Sequence, residues 1–178
     1  MSPKVPHTRA SGVVLRGFGR QQRAPVDRIA AALETLPSFH LEGLREIEFD
    51  PERLGQKATG YFLPPRAYTS LPNFKCRAEY LEGEERIAVY AFASERELCE
   101  LLHHEIGHHV CQRVIGGTLR KRWVTQIHPG APAISAYAGR NAREDFAESY
   151  AAFALSPERL RSIPTKYAFM RDEVFASR

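Results

Sequence analysis

The clearest pattern along the chain is an apolar stripe with a period near four residues. Leu98, Leu102, Ile106, Val110 and Val114 recur at every fourth position, which at 3.6 residues per turn makes one buried helix face. Ser94 followed by Glu97 is a capping box that sets the helix start at Glu95. Gly116-Gly117 offers the left-handed residue with which helices stop, so the run should close near Ile115. Upstream, PVDRIAAALETL places Val26, Ile29, Ala30 and Leu33 at helical spacing and ends before Pro37. LREIEF (44–49) alternates as a half-buried strand does, and TGYFLPP (59–65) reads as a second extended piece. FKCRAEYL (74–81) and RIAVYAF (86–92), joined through EGEE, read as a hairpin with a Gly-containing loop.

Beyond Gly117 the chain reads as irregular, punctuated by Pro129, Gly130, Pro132 and Gly139. Asn141 then suits the N-cap of a helix with body NAREDFAESYAAFAL. Ser156-Pro157 opens a short helix, and PTKYAFMRDEVF makes a terminal one. The predicted fold class is α+β: a small mixed or antiparallel sheet packed on the 95–115 helix, followed by a helical C-terminal part.

Composition narrows the class. The chain has 178 residues, 43% hydrophobic and 26% charged, values of a globular protein with a real core. No run approaches the length of a membrane span, and Val13-Val14-Leu15 is too short for a signal sequence. The expected location is therefore the cytoplasm, or outside the cell by a signal-independent route. Cys76, Cys99 and Cys111 lack metal-ligand spacing and read as free thiols in a reducing compartment. The net charge of +4 is uneven: residues 1–28 hold Lys4, Arg9, Arg16, Arg20, Arg23 and Arg28 against Asp27 alone. With Pro3, Pro6, Gly12, Gly17 and Gly19 interspersed, residues 1–24 read as a flexible basic arm ahead of a single domain at 25–178.

The candidate chemistry lies on the striped helix. His104-Glu105-Ile106-Gly107-His108 places two imidazoles one above the other, opposite the apolar stripe. Both can reach a tetrahedral Zn²⁺, with Glu105 to one side where an attacking water would stand. His103 and His109 have no histidine four positions away and should meet solvent or surround the site rather than bind metal. Gly107, near the ligand face, would let something approach closely. A catalytic zinc needs a third protein ligand, and Glu144 on the 141–155 helix can supply it. Glu148, one turn later, can orient a ligating histidine. Small Ala147 and Ala151 adjoin these carboxylates, with Phe146, Tyr150 and Phe153 behind.

HHEIGHH followed by the stretch from Tyr137 through Glu144 and Glu148 to Tyr150 resembles the catalytic domain of anthrax lethal factor and the Pro-Pro endopeptidases. These are zincin-like metallopeptidases of the gluzincin type, and the resemblance covers about residues 86 to 175. It implies Zn²⁺ held by His104, His108 and Glu144, with Glu105 as the catalytic base. It also implies that Tyr137, seven residues before Glu144, stabilises the transition state. His128, in the same irregular segment, is the second candidate for that role. The implied function is endopeptidase cleavage of protein substrates, extending to a bacterial toxin or effector.

A peptide substrate is expected to bind extended, added to the 86–92 strand. Two other readings compete: a nucleic-acid-associated protein with a basic DNA-binding arm and a structural zinc, and an inactive interaction domain. Against the first, the positive charge sits in the arm and a structural site would be closed by a fourth protein ligand. Against the second, Glu105 is retained.

Overall fold

Alternating sequence becomes a five-stranded mixed sheet, and helical periodicity becomes seven α-helices, in a computed structural model that describes residues 8–52 and 77–176. The strands are β1 (Thr8–Ala10), β2 (Val13–Arg16), β3 (Glu46–Phe49), β4 (Ala78–Leu81) and β5 (Arg86–Val89). The helices are α1 (Val26–Glu34), α2 (Glu95–His109), α3 (Gly117–Arg122), α4 (His128–Gly130), α5 (Ala142–Leu155), α6 (Pro157–Arg161) and α7 (Pro164–Phe169). The α+β class holds. The chain divides into two compact units, Met1–Leu33 with Leu44–Leu101, and Glu34–Gly43 with Leu102–Arg178. The extended piece expected at 59–65 and Cys76 lie outside the described residues.

In the first unit the strand order is β1-β2-β3-β5-β4, parallel at β2/β3 and β3/β5 and antiparallel at the two outer pairs. Register aligns Leu15, Ile47, Ile87 and Tyr80 in one row across four strands. All four are buried, so a one-residue slip would expose the whole row. Charged neighbours one residue along pair with each other: Arg16 lies 2.7 Å from Glu46, and Arg86 2.5 Å from Glu48.

Two expectations fail here. Residues 8–24 are not a flexible arm, because β1 and β2 form a hairpin and Ala10, Val13, Leu15 and Phe18 are core residues. Their glycines have conformational work to do. Ser11 and Gly12 both take positive φ, as a two-residue hairpin turn requires. At Gly17 (φ 79°) a Cβ would lie 2.4 Å from the Phe49 carbonyl oxygen. The second failure concerns β5, which is flanked by β3 and β4 and has no free main-chain edge for a substrate strand. Composition cannot reveal that position, because strand order is set by which long-range pairings bury the apolar row.

The hairpin of β4 and β5 appears as expected, although the left-handed turn residue is Glu85 and not Gly83. Helix α2 also begins as expected. Ser94 Oγ accepts the Glu97 amide at 3.2 Å, and the Glu97 carboxylate accepts the Ala93 amide. The apolar stripe is buried from Leu98 through Val110, with Val114 half-buried. The helix ends by another device than glycine. It widens into a π-type turn at Val110–Val114 and becomes extended at Ile115, while Arg120 donates to the Gln112 carbonyl at 3.0 Å. Gly116 is not left-handed (φ −56°, ψ 162°), and Gly117 opens α3.

The second unit is helical, including the stretch expected to be irregular. From α3 the chain winds on through Trp123–Ile127 to α4. Leu119, Trp123 and Ile127 stand four apart, and the last two are buried. Trp123 packs against Phe146 and Phe169, with Nε1 donating to the Ala142 carbonyl at 2.8 Å. Tyr150 and His40 are likewise buried and hydrogen-bonded at 2.9 Å, and His40 also contacts the Val174 carbonyl at 2.8 Å.

Candidate metal centre

The helix phase of α5 is set at its start, where Asn141 Oδ1 accepts the Arg143 and Glu144 amides at 3.0 Å each. Glu144 and Glu148, one turn apart, then face His104 and His108 of α2. Gly107 makes this approach feasible. A Cβ there would lie 2.9 Å from Ala147 Cα and 3.1 Å from Tyr150 Cβ. Alanine favours helix by about 1 kcal/mol over glycine, yet here it meets backbone that cannot yield cheaply. Gly107→Ala should therefore destabilise the protein by about 1–3 kcal/mol, because it pushes the Glu144 helix away from His104 and His108. Unchanged thermal unfolding in that variant would show the close approach to be unimportant.

The three expected ligand atoms form a nearly equilateral triangle. His104 Nε2 stands 3.1 Å from Glu144 Oε2 and 3.1 Å from His108 Nε2, and His108 Nε2 stands 3.3 Å from Glu144 Oε2. Three lone-pair atoms facing one another need a shared cation or shared protons. Ligands about 2.0–2.1 Å from a tetrahedral zinc lie roughly 3.3–3.4 Å apart, so the triangle needs to open by only a few tenths of an ångström. Among the described residues this is the group of His, Cys, Asp and Glu side chains able to converge on one ion. The donor set of two imidazoles and a carboxylate fits zinc with one position to spare.

The electrostatics agree with the geometry. Burial alone would lower the His104 pKa, but hydrogen bonds to Glu144 and Glu148 and the Glu105 charge outweigh it and hold it at about 9. Burial alone would raise the Glu144 pKa, but His104 and His108 hold the carboxyl well below its ordinary range. Glu148 is also lowered, chiefly by its hydrogen bond to His104. These shifts predict how chelator-treated protein responds to pH. The His104 pKa is raised above its unfolded 6.5, so its contribution is complete below pH 6.5 and is lost as pH rises through about 9. The loss should approach about 3 kcal/mol. Glu144 is depressed, so its share is present above pH 4.5 and lost as pH falls below that value. Unfolding curves in urea from pH 4 to 10 check this, and a midpoint that is flat or rising between pH 6.5 and 9 contradicts it.

Around the triangle, His104 Nδ1 lies 3.0 Å from Glu148 Oε1, the contact expected of a histidine-orienting carboxylate. Ser135 Oγ donates to the other oxygen of Glu148 at 2.9 Å and accepts the Ala138 amide at 3.0 Å. Ser135 escaped sequence reading; its local signal is the serine-type turn onto the amide three residues on. Glu105 is buried, and its charge acts on both His104 and Tyr137. Tyr137 is 44% exposed, with its ring 5.7 Å from that of His104. Burial and the charges of Glu144 and Glu105 raise the phenol pKa, keeping it a hydrogen-bond donor.

His128 goes elsewhere. Its Nδ1 lies 2.7 Å from Asp145, which is buried with Lys166 Nζ 2.6 Å from both its oxygens. Lys166 also donates to the Pro132 carbonyl at 2.8 Å. Neither member of this buried pair was legible, since a charge on an amphipathic helix ordinarily faces water. His103 and His109 are buried rather than solvent-facing, and His109 Nε2 holds the Glu42 carbonyl at 2.9 Å. Burial raises the thiol pKa of Cys99 and pushes that of Cys111 up to about 11. No helix among the described residues is long and apolar enough to cross a membrane. No protein-family model matches the chain, and no curated protein matches it in sequence.

Proposed function

We propose that this protein is a zincin-like, zinc-dependent endopeptidase, as its resemblance to the lethal factor group implies. The observation that carries the reading is the 3.1–3.3 Å triangle of His104, His108 and Glu144 beside a buried Glu105. Zinc bound there supplies Lewis acidity and brings the pKa of a coordinated water toward neutrality. The remaining work falls to the chain. Glu144, kept ionised by the two imidazoles, contributes the one anionic ligand. Glu148 accepts the Nδ1 proton of His104 and leaves the Nε2 lone pair for the ion, while Ser135 fixes Glu148. Glu105 accepts the proton of the attacking water and delivers it to the leaving amine. The Tyr137 hydroxyl donates to the oxyanion that develops on the scissile carbonyl.

The test joins metal analysis to digestion of a peptide library followed by mass spectrometry. About one zinc per chain with internal cleavage of peptides is the expected result; a zinc-loaded protein that cuts nothing refutes the reading. Within it, Tyr137→Phe should lower kcat by roughly 10²–10³ without changing zinc content, as loss of an oxyanion donor does elsewhere. His128→Ala should leave the zinc and the pH profile intact and act through stability. The opposite ranking would transfer the oxyanion role to His128.

A further inference from the structure

Two arginines border the candidate metal centre without a carboxylate partner among the described residues. Arg143, in the first turn of α5, is exposed, and its Nε lies 3.4 Å from His108 Nδ1. Arg140 is exposed, with its guanidinium 4.8 Å from the Tyr137 ring centroid. By contrast Arg86, Arg122 and Arg171 each pair with an acidic side chain.

The Arg143 contact conflicts with ligation. A guanidinium only donates, so it needs a lone pair on His108 Nδ1. Binding an ion through Nε2 places the proton on Nδ1, and two donors then face each other. His104 solves this with Glu148, whereas His108 has no such acceptor among the described residues. At 3.4 Å the present contact is already at the limit of a hydrogen bond. In the loaded site the Arg143 guanidinium is therefore left to find an acceptor from outside. Charge points the same way. With a divalent ion in place, Glu105, Glu144 and Glu148 still outnumber its charge by one, a sign that would repel an acidic ligand. Arg143, against His108, and Arg140, over the Tyr137 ring, reverse that sign at the rim.

We propose that Arg143 and Arg140 form a carboxylate-recognition site, so that the favoured peptide substrates carry an acidic group close to the scissile bond. The bidentate fork of arginine suits a carboxylate, which an Asp or Glu side chain or a free C-terminus can supply. The inference rests on the endopeptidase reading and names its substrate class.

Two measurements test it. In the first, zinc-loaded wild type digests two mixed peptide libraries, one with free and one with amidated C-termini. In the second, zinc-loaded Glu105→Gln protein selects binders from the same libraries, so recognition is read without turnover. Asp and Glu should be enriched about tenfold at a fixed position among cleaved and selected peptides alike. Enrichment confined to the free-ended library identifies the C-terminus as the carboxylate. Arg143→Gln should abolish the enrichment and Arg140→Gln reduce it. Both residues are exposed, so zinc content and thermal unfolding should be retained. The amide oxygen introduced by Arg143→Gln can accept the His108 Nδ1 proton, so zinc affinity should hold or rise. Cleavage without acidic preference, or a preference that survives both substitutions, overturns this inference and leaves the endopeptidase reading standing. Absence of cleavage overturns that reading, and selection by the Glu105→Gln protein still decides whether the arginines bind carboxylates.

Discussion

Glu105→Gln should leave a folded, zinc-loaded protein whose peptide hydrolysis falls by about 10²–10⁴, the usual contribution of a positioned general base. Glutamine keeps the shape of the side chain in its buried position and removes the proton acceptor. The loss should therefore appear in kcat, with little change in KM, zinc content or unfolding temperature. The charge of Glu105 also supports His104 and raises the Tyr137 pKa, so the variant should shift the pH profile as well as its height. A Glu105→Gln protein that retains wild-type turnover would remove the carboxylate from the mechanism and, with it, the main argument for hydrolysis.

The second large effect concerns the ligands. Glu144→Gln replaces the anionic member of the triangle by a neutral amide, and Glu148→Gln weakens only the support of His104. Loss of an outer hydrogen-bonding partner costs a metal site roughly 10–100-fold in affinity. Loss of a direct carboxylate ligand should cost more than this, enough to leave the purified protein largely free of zinc. Competition against a chelating dye orders the two variants. If Glu148→Gln is the weaker binder, the direct and supporting roles of the two carboxylates must be exchanged. The comparison is fair because both residues sit on one face of α5 and neither is in the buried aromatic cluster.

Much of the site could be read before the fold was known, because it is mostly local. His104 and His108 share a face through helix geometry alone, and the Ser94 and Asn141 caps fix where α2 and α5 begin. Even the use of Gly107 could be anticipated, since a glycine inside a strong helix needs a reason; its neighbour, Ala147, could not be singled out. The errors fall where a local signal has two physical outcomes. Positive charge with glycines marks disorder in one context and, in residues 8–24, a hairpin with a tight turn and a close approach to Phe49. Pro129 and Gly130 suggested a loop, but Leu119, Trp123 and Ile127 carry helical periodicity up to them, and burial of Trp123 prevails over the breakers.

By itself the sequence determined the apolar stripe of α2, the N-caps at Ser94 and Asn141 and the pair of imidazoles, since these depend on residues within a few turns of one another. Tertiary structure alone decided that β5 lies inside the sheet, that Ser135 holds Glu148, and that Asp145 buries itself against Lys166. It also decided that Arg143 meets His108 where an acceptor would be expected. Each of these joins positions separated by many residues, and such pairings are selected by total burial and charge compensation rather than by the conformational preferences of the residues involved.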